Sequence, residues 1–202
     1  MIFYSLSVLV AVISGLFLAY DKLSRPFFIL MLVGILLCLV LAFKSYERSF
    51  MLSFVPDALG VSSVSYSQEE SWGFGPGGNE AGIRVYVLPD HISEDIARHG
   101  IDFFDNMRPN ERQTNRGWRG RYRQWQTTPL AESALWKKNR ETGRFVIYDY
   151  VCRYGFCIDI DQDVIDQATE IVNSKGSYYA YGRIGMIVVS PENNMVLYLY
   201  NG

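Results

Sequence analysis

Charge is missing from the first 20 residues of this chain, and again from residues 26–43. With no ionisable group inside either run, a channel or pump built on them is disfavoured. Histidine is scarce, at two residues, and cysteine at three, which argues against a histidine-rich metal centre or a disulfide-dense scaffold. Neither sign of charge dominates. The formal net charge is −2, and the part from Phe50 onward is mildly acidic, which argues against bulk nucleic-acid binding. No G-x-S-x-G elbow and no internal repeat occur, so the commonest hydrolase signature and a solenoid are both missing.

What is present first is hydrophobicity. Residues 1–20 suffice for about 30 Å of helix, the thickness of a bilayer core. Residues 26–43 form a second run between Arg25 and Lys44, whose long side chains suit the headgroup region. Asp21 to Arg25 leaves room only for a tight turn, and Pro26 fits the first turn of the second helix. The first run lacks the basic start of a cleaved signal peptide. The expectation is a two-helix transmembrane hairpin over residues 1–49 and an integral membrane protein, with the lipid bilayer as its first partner.

Basic residues do not orient the hairpin, because Lys22 and Arg25 balance Lys44 and Arg48. Cys152 and Cys157 break the tie. They flank a four-residue Gly-containing segment between two apolar runs, which predicts a hairpin able to close a disulfide. Two free buried thiols are the plainer alternative, and C-x4-C with no second pair is a poor zinc site. A disulfide implies an oxidising compartment, hence a periplasmic domain on a bacterial inner membrane.

Residues 50–71 are Ser-rich and read as a connector, with a short edge strand around Val61, Val64 and Tyr66 as the other option. Residues 72–202 are expected to form the soluble α+β domain. Alternation predicts strands over 82–88, 118–126, 144–151, 177–181, 185–190 and 195–200. Helices are predicted over 90–98, from Pro129 to Trp136, and from Asp161 or Asp163 to Val172. The fold class is therefore a mostly antiparallel sheet with two or three helices packed on one face.

Three features suggest chemistry. Gly73, Gly75 and Gly78 satisfy G-x-G-x-x-G, but a strand rather than a helix follows, so the loop is a turn or, with Trp72 and Phe74, a binding loop. Arg119, Arg121 and Arg123 are interleaved with Trp118, Tyr122 and Trp125; an extended chain would point all three guanidinium groups from one face. Such forks suit phosphate and carboxylate groups, on an anionic lipid, an anionic glycan or an acidic protein partner. Asp159, Asp161, Asp163 and Glu170 follow EF-hand spacing, but Val164 stands where the loop needs glycine. No metal and no cofactor is expected. The function predicted is a membrane-tethered, non-catalytic interaction or sensing module. The alternatives are an anchored hydrolase with its site near Gly73 to Gly78, and a structural subunit of a membrane complex.

Overall fold

A computed structural model describes residues 14, 20–22, 24–72, 79–108, 110, 117–133, 136–152 and 157–201. The chain divides into two units, Met1–Glu47 and Arg48–Gly202. Helix α1 spans Arg25–Leu52, 28 residues and so about 42 Å, and it is long and apolar enough to cross a membrane. The first arm of the expected hairpin lies mostly outside the described residues.

The second unit is built on six antiparallel strands. They are β1 (Val64–Trp72), β2 (Asn79–Val87), β3 (Gln126–Thr127), β4 (Tyr178–Tyr181), β5 (Met186–Ser190) and β6 (Met195–Asn201), in the order β1-β2-β6-β5-β4-β3. Its helices are α2 (Asp90–His99), α3 (Ile101–Asp105), α4 (Ile147–Val151) and α5 (Gln162–Asn173), with a 3-10 turn at Asp57–Leu59.

Both faces of the sheet are covered, which corrects the expectation of helices on one face. On one face Ile83, Val85, Leu197 and Leu199 pack with Ile147 and Val151 of α4 and Ile165, Ala168 and Ile171 of α5. On the other, Tyr86, Val196 and Tyr198 meet Phe54, Val55 and Leu59, together with Ile96 of α2 and Phe104 of α3. The alternation of β2 reads as one apolar face and one polar face, yet Arg84 and Tyr86 on the polar side are as buried as Ile83 and Val85.

Residues 50–71, read as a connector or a short edge strand, lie within the unit Arg48–Gly202, and the edge strand forms, as β1. Phe54, Val55 and Leu59 enter the core, and β1 pairs with β2 from Val64 to Trp72, with one irregularity between Val64 and Tyr66. The strand expected over 144–151 does not form; its second part, Ile147–Val151, is the short helix α4. Asn173 of α5 occupies the backbone of Phe145 as a strand partner would, accepting from its N–H at 3.0 Å and donating to its carbonyl at 2.8 Å. Thr169 Oγ1 accepts from the Ile147 N–H at 3.3 Å. With those groups satisfied, Ile147, Tyr150 and Val151 turn inward at helical spacing.

The predicted helix after Pro129 is irregular chain, tied down where the Leu130 N–H donates to the Val172 carbonyl at 2.9 Å; residues 134 and 135 lie outside the described set. Cys152 and Cys157 stand at disulfide distance, Cα to Cα 4.5 Å. The loop expected between them, 153–156, is outside the described residues, and Cys152 follows a helix rather than a strand.

Candidate functional site

The predicted strand over 118–126 does not form. Residues 117–120 make a turn, and only Gln126 and Thr127 join the sheet, beside β4. Gly120 explains the turn. Its φ of 68° is favourable for glycine, and a Cβ there would sit 2.7 Å from the Asn110 amide nitrogen and 3.0 Å from the Ser53 carbonyl oxygen. Asn110 is buried and clasps both neighbours, donating to the Gly120 carbonyl at 3.0 Å and accepting from the Asp57 N–H at 2.9 Å.

This turn separates the predicted site residues. Arg119 is half-buried, its guanidinium 4.9 Å from the centre of the Phe50 ring, and Trp118 meets Phe54 edge to face at 5.8 Å. Arg121 and Arg123 are exposed, so the three arginines do not form one strand face. Trp125 belongs to the core, stacked on Phe104 at 4.3 Å. Tyr122 donates its hydroxyl to the Phe54 carbonyl at 2.9 Å. Trp72 ends β1, while Phe74 and the loop from Gly73 to Gly78 lie outside the described residues.

The structure adds a second arginine that sequence reasoning missed. Arg84 on β2 is only 4 % exposed. Its guanidinium lies 4.7 Å from the centre of Phe54, 5.0 Å from Tyr200 and 6.0 Å from Phe50. Its Nη2 donates to Oε2 of Glu69, and the Tyr200 hydroxyl donates to the same oxygen. Phe50 and Phe54 are therefore shared between two guanidinium groups, Arg84 and Arg119. Phe54 stacks on Tyr198 at 5.0 Å, and Tyr198 on Tyr200 at 5.0 Å. Negative ring faces suit a cation that has left water. The only legible signal is an arginine in mid-strand, on the face opposite Ile83 and Val85.

Electrostatics follow from this crowding. Burial opposes the Arg84 charge, but Tyr200, Tyr86 and Glu69 outweigh it and hold the guanidinium protonated beyond its usual range. Burial, with the neighbouring Glu69 carboxylate, raises the Glu80 carboxyl against the smaller opposing pull of Arg84. The hydroxyls of Tyr198 and Tyr200 are pushed up, first by burial, and remain proton donors.

The acidic series is dispersed. Asp161 precedes α5 as its N-cap residue, while Glu170 accepts from Ser174 at 2.7 Å and from Arg144 at 2.5 Å. His99 Nδ1 lies 3.1 Å from Asp95 on the exposed side of α2. The chain matches no family model, no curated protein and no solved structure.

Proposed function

We propose that this chain is a membrane-tethered, non-catalytic binding or sensing module whose arginine and aromatic cluster, at the last turn of α1, receives an anionic group. The observation that carries this is the placement of Arg119 over Phe50 with Arg121 and Arg123 exposed on the same short segment. A guanidinium lying on a ring keeps its N–H edge directed sideways, where it suits phosphate or carboxylate oxygens. Phe50 lies in the same helix as the apolar run 26–43, seven residues beyond it, so the cluster follows the anchor closely along the chain. Anionic lipid is accordingly the favoured partner.

Three features support the localisation: the helix Arg25–Leu52, the uncharged run 1–20 and the cysteine pair at disulfide distance. The tether then crosses the inner membrane of a bacterium as a hairpin, and the domain lies in the periplasm.

The test is sedimentation of the compact unit Arg48–Gly202 with anionic and with zwitterionic vesicles at two ionic strengths. Preference for anionic vesicles is expected, weakening with salt. The triple variant R119Q/R121Q/R123Q should bind on the order of 100-fold less at low salt, from roughly 1 kcal/mol per basic residue near an anionic surface. Equal binding to both vesicle types would remove the lipid partner and leave an anionic glycan or an acidic protein segment. Loss of cooperative folding in the triple variant would show that these arginines are structural.

A further inference from the structure

Asp90, Ser93 and Glu94 share one face of helix α2. Across from them stand Tyr178 at the start of β4, and Glu192 and Asn194 in the β5–β6 turn, enclosing a cleft of about 590 Å³. Cavities of roughly 300–1,000 Å³ hold small organic ligands. Asp90, Glu94 and Glu192 bring three exposed carboxylates to this cleft. Among the described residues none of the three is in an ion pair, and their only hydrogen bond comes from Asn194 Nδ2 to Asp90 Oδ1, at 2.9 Å. Ser93, 7 % exposed, lines the same cleft, and its buried hydroxyl has no hydrogen-bond partner among the described residues.

We propose that this cleft binds an alkylammonium group. An ammonium has three hydrogens to donate and no acceptor of its own. Glu94 and Glu192 supply carboxylate acceptors, Ser93 with its buried, unpartnered hydroxyl lines the cleft beside them, and Asn194 holds Asp90 as a further negative charge. Ala97 and the ring of Tyr178 line the cleft as well and offer an apolar seat for the aliphatic stem. Among the described residues no three acidic, histidine or cysteine side chains converge as metal ligands would, so a ligand longer than a bare ion suits the spread of charge.

The group has two sources, a free diamine or the lysine side chain of a partner. Calorimetric titration of the full chain in detergent micelles separates them, using pentane-1,5-diamine and a capped Gly-Lys-Gly peptide, with pentane-1,5-diol as the uncharged control. Saturable binding of either cation with no binding of the diol is expected. The tighter of the two identifies the source. Glu94 and Glu192 are exposed, so E94Q/E192Q should melt like the parent and bind at least about tenfold more weakly, each lost charge-assisted hydrogen bond being worth roughly that factor. The idea is overturned if neither cation saturates, if the diol binds as well, or if the folded E94Q/E192Q variant keeps the parent affinity.

Discussion

Tyr200 gives its hydroxyl hydrogen to Glu69, although the two residues are 131 apart in sequence and lie on strands separated by β2. The register explains the reach. Glu69 faces Gly82 and Gly82 faces Tyr200, so the one position between them has no side chain. The tyrosine lies across that gap and joins Arg84 on the same carboxylate oxygen.

Gly82→Ala tests this crossing. A Cβ at residue 82 would collide with the Tyr200 ring, and Tyr200 is packed against Tyr198 and Arg84 with little room to withdraw. Overpacking of this kind costs about 1–3 kcal/mol. Thermal or urea unfolding followed by circular dichroism should show that loss. An unchanged midpoint would mean that the crossing contributes little.

Asn110→Ala addresses the turn that positions Arg119. Removing the amide takes the donor from the buried Gly120 carbonyl and the acceptor from the part-buried bond to the Asp57 N–H. The expected loss is about 1–3 kcal/mol in the same unfolding experiment. Partial rescue by Asn110→Asp, which keeps the acceptor for Asp57 but not the donor for Gly120, would assign the two bonds separately.

Alkaline stability should fall through a defined window. Burial pushes the Tyr86 phenol from 10 up to about 12, against the smaller pull of Arg84. The folded chain therefore holds this proton more tightly than the unfolded chain. The associated stability is complete below pH 10 and is lost as pH rises from 10 through 12. Tyr86→Phe should cost about 1 kcal/mol at neutral pH by losing the 2.9 Å bond to the Met51 carbonyl, and should decline less steeply above pH 10. A steeper alkaline decline in the variant would contradict this. Tyr198 and Tyr200 are shifted in the same direction, so the decline is reduced rather than abolished.

Thiol chemistry checks the cysteine pair. Maleimide labelling of the denatured, unreduced chain should modify Cys38 alone, with Cys152 and Cys157 reacting only after reductant is added. Labelling of all three before reduction would show free thiols and remove the argument for an oxidising compartment.

Elements set by neighbours in sequence were legible. Ile92 and Ile96 recur on α2 with Gly100 after it, and the alternating Met195 to Tyr200 follows a Pro-Glu-Asn-Asn turn; both were assigned from pattern alone. The apolar run 26–43 within the helix Arg25–Leu52 was equally plain, because unbroken hydrophobicity requires no partner to be recognised. Of the candidate site, the chain order of Trp118 to Trp125 was visible but its shape was not. Glycines at 117 and 120 carry positive φ, and Gln124 does too, which turns an apparent strand into a folded segment.

The sequence by itself determined the apolar helix, the α2 and α5 faces and the last three strands, because these rest on contacts within a few residues or on a hydrophobic period. Tertiary structure alone decided that Ile147 to Val151 would turn helical, since Asn173 and Thr169 on α5 hold the backbone groups of Phe145 and Ile147 that a strand would have paired. It also decided that Arg84 would be buried. Alternation states which side chains share a face of β2, but Phe54, delivered by the chain after α1, is what covers that face, and no local pattern encodes a partner 30 residues away.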